Sequence, residues 1–297
     1  MNTITVIGAG TMGNGIAHAF AARSFTVRLV DLRPEALEAA RATIARNLDR
    51  QIKKELIDEA EKAATLDRIQ THTALAEAVD GATLVVEAAT EHLAVKQQLF
   101  QTMSTHCAPD TVLATNTSSI SITKIAAATD RPQQVIGMHF MNPVPVMPLV
   151  EIINGYRTDP AVTDTVVRTV EQLCKTPLVV NDYPGFVANR ILMPMINEAI
   201  IALHEGVAGV TAIDQIMQLG MAHPMGPLRL ADFIGLDVCL SIMRVLHEGL
   251  GSDKYAPCPL LVNMVEAGVL GVKSGEGFYD YAEGPKSQRV AGRFQSP

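Results

Sequence analysis

The chain is 297 residues long, 48% hydrophobic, and carries a formal net charge of -7. That length and apolar content suffice for about two cored domains, and the acidic balance leaves no basic excess for a phosphate backbone, so no nucleic-acid partner is expected. The four cysteines (Cys107, Cys174, Cys239, Cys258) are far apart with no C-x-x-C pair, which excludes a disulfide framework and a zinc site and implies thiols kept in a reducing compartment.

Thr3-Ile4-Thr5-Val6-Ile7 runs straight into a glycine turn, with no basic and apolar leader before it. No stretch of about 20 apolar residues follows. A cytoplasmic protein with no membrane partner is therefore expected. Short β-branched runs then alternate with helical patterns, the mark of a parallel α/β sheet. Strands are expected near Thr3–Ile7, Thr26–Val30, Thr83–Val86, Val112–Thr115, Val135–Met138, Leu149–Ile153 and Leu178–Val180. Between the second and third lies a long insert from Pro34 to about Ala82. In it, Ile44, Leu48, Ile52 and Leu56 recur at helical spacing, so it holds a long amphipathic helix or a helical hairpin, an arm over about 34–64.

After Asn181-Asp182-Tyr183-Pro184-Gly185 the pattern turns helical, with no strand to the end. Val187–Glu205 is apolar over much of its surface, Thr211-Ala212-Ile213-Asp214 has the form of a capping box, and Leu236–His247 is a further helix. The expected architecture is α/β: a Rossmann-type, doubly wound, mostly parallel sheet over 1–184 with a helical arm, then an all-α domain over 185–281. Residues 282–297, polar and rich in Gly and Pro at their start, are expected to be a disordered tail.

Gly8-Ala9-Gly10-Thr11-Met12-Gly13 follows the first strand and opens an apolar helix. Gly8 permits the turn, Gly10 lets the backbone approach a pyrophosphate, and Gly13 allows close helix–strand packing, with the helix N-terminus supplying N–H groups to the phosphates. Asp31 ends the second strand, where a carboxylate accepts from an adenosine ribose and repels a 2′-phosphate. NAD is thus the expected cofactor, although Arg33 nearby could receive that phosphate.

Ligands of such sheets bind beyond the carboxyl ends of the strands. Those ends carry Glu87 to Glu91, Asn116-Thr117-Ser118-Ser119 and His139. His139 is the candidate acid/base, since imidazole exchanges a proton near neutral pH. Glu151, twelve residues on, could hold its other ring nitrogen; a charged residue at a strand edge is the plain alternative. Ser118 and Ser119 precede a helical pattern and read first as helix caps, and Asn189 falls in the first turn of a helix. His204-Glu205 and His247-Glu248 lack the second histidine of H-E-x-x-H, so no metal is expected.

These segments, with Gly137-Met138-His139-Phe140-Met141-Asn142-Pro143, Pro184-Gly185-Phe186-Val187-Ala188-Asn189-Arg190, Pro224-Met225-Gly226-Pro227 and Lys273-Ser274-Gly275-Glu276-Gly277-Phe278-Tyr279, closely resemble the 3-hydroxyacyl-CoA dehydrogenase family over nearly the whole chain. The resemblance implies oxidation of a 3-hydroxyacyl-CoA by NAD, most like the bacterial short-chain enzymes. It implies His139 as acid/base paired with Glu151, and Ser118 and Asn189 at the C3 oxygen. Glu91, Lys96, Asn116, Ser118, Asn142 and Lys273 would line the cofactor site, and Ser118, Asn47 and Lys54 would meet the acyl-CoA. Arg46, Arg50 and Lys53 make the arm basic around those last two, which suits CoA phosphates; a solvated helix face explains the same charges. A homodimer through the helical domain is implied too. Gulonate dehydrogenase and a non-catalytic lens crystallin share the resemblance, so a free hydroxy acid as substrate, or no catalysis at all, are the alternatives.

Overall fold

The computed structural model describes residues 3–295 and divides the chain into two compact units, Met1–Tyr183 and Pro184–Pro297. The first contains β1 (Thr3–Ile7), α1 (Thr11–Ala21), β2 (Thr26–Val30), α2 (Pro34–Ile52), α3 (Glu59–Asp67), β3 (Ile69–His72), α4 (Leu75–Val79) and β4 (Leu84–Glu87). There follow α5 (Leu93–His106), β5 (Val112–Thr115), α6 (Ile122–Ala126), β6 (Val135–Phe140), β7 (Leu149–Asn154), α7 (Pro160–Gln172) and β8 (Thr176–Asn181). One sheet takes the order β3-β2-β1-β4-β5-β6-β7-β8. The step from β6 to β7 is antiparallel, and the other strand pairs are parallel.

The central strands β4, β5 and β6 are buried at every position, as expected for parallel strands covered on both faces. Ile16, Ala17 and Phe20 of α1 pack against Val6, Val27 and Leu29 in that core. The arm is two helices, α2 and α3, tied by the Lys62–Asp49 ion pair. The edge strand β3 is absent from the sequence-based expectation. Of its four residues only Ile69 is buried, so an edge position on one neighbour leaves no apolar run to read.

The second unit contains α8 (Ala188–His204), α9 (Val210–Gly220), α10 (Pro227–Ile234), α11 (Leu236–Leu250) and α12 (Pro259–Glu266), packed around Met193, Ile200, Leu228, Leu240, Leu246 and Leu261. Two expectations are corrected here. The capping box at Thr211 is not formed: α9 starts after Gly209, and Asp214 instead accepts from the Leu228 and Arg229 N–H groups, capping α10 across the unit. The tail from Ala282 is not a loose end in its described part. The Asp280 N–H donates to the Arg289 carbonyl at 2.8 Å, the Ala291 N–H donates to the Phe278 carbonyl at 3.0 Å, and the Phe294 ring lies 5.6 Å from that of Phe278. Main-chain pairing of this kind is indifferent to side-chain polarity, which is why composition alone misreads it. Ser296 and Pro297, the last two residues of that tail, lie outside the described residues.

Asp232 anchors the same segment, its carboxylate accepting from the Phe278 and Tyr279 N–H groups and the Tyr281 hydroxyl. Among the described residues, no helix is long and apolar enough to cross a membrane.

Candidate active site

The turn after β1 is closed from below and open above. Gly8 has φ +98°, and a Cβ there would lie 2.7 Å from the Ala88 carbonyl oxygen; a Cβ on Gly13 would lie 1.7 Å from the Gly8 oxygen. Gly10, by contrast, has nothing within 4 Å of where its Cβ would be. The two packed glycines let α1 close on the sheet, and the bare one leaves room for a phosphate beside the helix start. Thr11 and Met12 form that start. Asp31 directly follows β2 and accepts from the Ala9 N–H at 2.9 Å and the Arg33 N–H at 3.0 Å. Its carboxylate is thus locked beside the turn, where a dinucleotide ribose would lie.

His139 and Glu151 are cross-strand partners in β6 and β7, and His139 Nδ1 meets Glu151 Oε2 at 2.7 Å. Both are buried. His139 lies inside β6 rather than just beyond it, because pairing with β7 carries the strand on to Phe140. Asn116 Oδ1 accepts from the Phe140 N–H at 2.9 Å, clamping the end of β5 to the residue after the histidine. The loop joining the two strands, which includes the exposed Asn142, is pinned by the Lys175 ammonium on the Val144 and Met147 carbonyls. A short strand register, one amide and one ammonium therefore fix the imidazole.

Ser118 follows β5. Its N–H and its hydroxyl both donate to Glu91 Oε1, at 2.6 and 2.9 Å, and the Thr117 hydroxyl donates to Oε2 at 2.8 Å. Neither Ser118 nor Ser119 caps the next helix. Ser121 does, and the Asp182 carboxylate accepts from the Ile122 and Thr123 N–H groups beside it. Lys96 is almost wholly buried, 2.6 Å from Glu87 and 3.6 Å from Glu91. Sequence reasoning left Glu87 without a role, since a carboxylate at a strand end gives no sign of the ammonium it faces.

Asn189 and Lys273 belong to the second unit and are placed by its contacts. Asn189 is buried in the first turn of α8, and the Lys273 ammonium lies 2.6 Å from Asp237. On the arm, Arg46, Asn47, Arg50, Lys53 and Lys54 follow one another at spacings of one, three, three and one, close to a single stripe. Arg50 donates to Asn47 Oδ1 at 2.9 Å, while Lys53 and Lys54 are exposed.

The model of the 3-hydroxyacyl-CoA dehydrogenase NAD-binding domain matches residues 3–183, and that of the family's C-terminal domain matches residues 185–281. The chain belongs to the 3-hydroxyacyl-CoA dehydrogenase family. A probable 3-hydroxybutyryl-CoA dehydrogenase of Bacillus subtilis is 55% identical to this family member over 94% of the chain and 97% of the relative. The mitochondrial hydroxyacyl-coenzyme A dehydrogenase of the rat is 40% identical over 94% and 90%. Among solved structures, the (S)-3-hydroxybutyryl-CoA dehydrogenase of Ralstonia eutropha superposes with a TM-score of 0.92 at 47% identity, covering 95% of this dehydrogenase and 99% of that chain. The residues present at the glycine turn and Asp31 fit the NAD that the family's first domain binds.

Proposed function

We propose that the enzyme interconverts a short (S)-3-hydroxyacyl-CoA, such as 3-hydroxybutyryl-CoA, and its 3-ketoacyl-CoA with NAD(H). The His139–Glu151 contact carries this reading. With Nδ1 committed to a buried carboxylate, the imidazole is oriented to exchange protons through Nε2, and the carboxylate stabilises the imidazolium that forms. In the oxidative direction His139 takes the proton of the 3-hydroxyl. In reduction it returns that proton to the carbonyl oxygen. Ser118 and Asn189 are the side chains assigned to that oxygen and its neighbourhood, holding the carbinol in register with the base. NAD, when bound, accepts or returns the hydride.

Gly8, Gly10, Thr11, Met12, Gly13 and Asp31 are assigned to the adenosine and pyrophosphate half. Glu91, Lys96, Asn116, Ser118, Asn142 and Lys273 are assigned to the nicotinamide half. Asn47 and Lys54, flanked by Arg46, Arg50 and Lys53, are assigned to the CoA nucleotide, whose phosphates suit the exposed charges. We place the enzyme in the cytoplasm as a homodimer joined through its helical domain. Ile191, Ile216 and Leu219, exposed on α8 and α9, support that assembly.

The test is loss of NADH absorbance on mixing the protein with acetoacetyl-CoA. Turnover with the thioester and none with free acetoacetate supports the proposal. Turnover with the free acid alone would move the enzyme to the hydroxy-acid branch, and none with either in protein that binds NADH would leave a silent NAD-binding protein.

A further inference from the structure

We infer that Glu87 is a positioning residue that sets both the geometry and the charge of the cofactor-facing edge. This rests on the reading that the ends of β4, β5 and β6 receive the nicotinamide half. It assigns a task to a carboxylate that touches neither substrate nor cofactor in that reading.

A lysine ammonium and a carboxylate buried to 2% and 0% exposure are poorly explained by stability. Desolvating two charges costs several kcal/mol, and apolar residues of the same volume often serve a core as well or better. The pair is instead the hub of a network. Glu87 Oε1 accepts from the Ala89 N–H at 2.8 Å, fixing the segment against which Gly8 packs. Glu87 Oε2 accepts from Lys96 at 2.6 Å and from the Thr115 hydroxyl at 2.8 Å, and that hydroxyl accepts from the Thr117 N–H at 3.2 Å. Lys96 reaches on to Glu91, which is 48% exposed and holds Ser118. Negative, positive and negative groups thus run from the buried end of β4 to the exposed ligand edge.

The three charges sum to minus one. A nicotinamide ring is cationic when oxidised and neutral when reduced, so a net negative edge favours the oxidised form. Glu87→Gln brings the sum to zero. It also leaves Lys96 with Glu91 as its sole carboxylate, which draws Glu91 away from Ser118.

The experiment measures binding separately from turnover. NADH is titrated by its own fluorescence and NAD by competition, for the wild type, Glu87→Gln and the double variant Glu87→Gln/Lys96→Met. In Glu87→Gln the Kd for NAD rises about tenfold and that for NADH far less, with kcat at saturating cofactor falling less than KM rises. In the double variant Glu91 alone restores the charge of minus one. The NAD-to-NADH ratio of Kd values then returns to that of the wild type, while both Kd values stay raised about threefold because Glu91 has lost its tether. A folded Glu87→Gln protein with an unchanged ratio overturns the inference. If the single variant does not fold, the double variant decides, and wild-type Kd values for both forms overturn it. A wild-type protein that binds neither dinucleotide overturns the cofactor reading and this inference together; normal wild-type binding with unmoved variants overturns this inference alone.

Discussion

Glu151 lies directly opposite His139 in the antiparallel step between β6 and β7, with Oε2 2.7 Å from the ring nitrogen. Side chains alternate between the faces of a strand, so a slip of one residue would send the carboxylate to the other side of the sheet. Glu151→Gln keeps the size of the partner and removes its charge. It should lower kcat about a hundredfold or more and leave KM for the thioester nearly unchanged. Steady-state kinetics on protein with a wild-type circular dichroism spectrum checks this, and a kcat within about twofold of the wild type would take Glu151 out of the mechanism.

The glycine turn predicts two opposite outcomes. Gly13→Ala forces a methyl into the Gly8 carbonyl, so it should lower both Tm and NAD affinity. Gly10→Ala meets no protein atom within 4 Å. It should fold with a wild-type Tm and lose NAD binding, because the methyl occupies the space the pyrophosphate needs. Thermal melts beside NADH titrations separate the two; unchanged NADH affinity in Gly10→Ala would show that the turn does not face the cofactor.

Asp31 holds the turn through the Ala9 N–H and, in the proposed reading, discriminates against NADP. Asp31→Asn retains an acceptor for the Ala9 N–H and discards the negative charge. Discrimination against NADP should fall about tenfold with little change in Tm. The exposed Arg33, whose Nε lies 3.7 Å from Asp31 in the parent, is then available to a 2′-phosphate. The ratio of kcat/KM for NADH and NADPH reads this directly.

Burial pushes the Asp232 carboxyl up to about 6, against the opposing pull of its hydrogen bonds from Phe278, Tyr279 and Tyr281. A carboxyl that holds its proton more tightly in the folded than in the unfolded chain contributes stability that is complete below about pH 4 and is lost as pH rises through about 6. Asp232→Asn removes that titration and turns an amide N–H toward the Tyr279 N–H, at a cost of about 1–3 kcal/mol. Urea unfolding across this range should show the stability of the wild type falling relative to the variant as pH rises. A difference independent of pH would contradict the assignment.

Most of the sheet and the glycine turn were legible because each is written locally, whereas the pairing of His139 with Glu151 came only from the family resemblance, the residues alone leaving a strand-edge charge as the alternative. Fully buried strands are apolar runs, and the turn is a six-residue motif after one of them. What stayed hidden depends on distant partners. The Lys96 ammonium, on α5, is buried by a carboxylate at the end of β4, and Asp214 and Asp182 accept from the first turns of helices that begin thirteen residues after the one and sixty before the other. β3 has one buried residue to announce it, and the segment after Tyr281 folds through main-chain groups whose side chains give no hint.

The outermost strand has a consequence for solubility. The N–H groups of Thr176 in β8 and of Asp182 just after it point inward, to the Pro148 and Asn154 carbonyls, so by alternation position 177 faces the open side, and its residue is a proline with no N–H to give. Leu178 and Val179 project to opposite faces and are each about half exposed, apolar surface that would favour another molecule's strand on either face. The missing donor interrupts the ladder such a strand would need. Replacing Pro177 with threonine should therefore promote side-by-side aggregation at high concentration, visible as added light scattering with the folded unit otherwise intact.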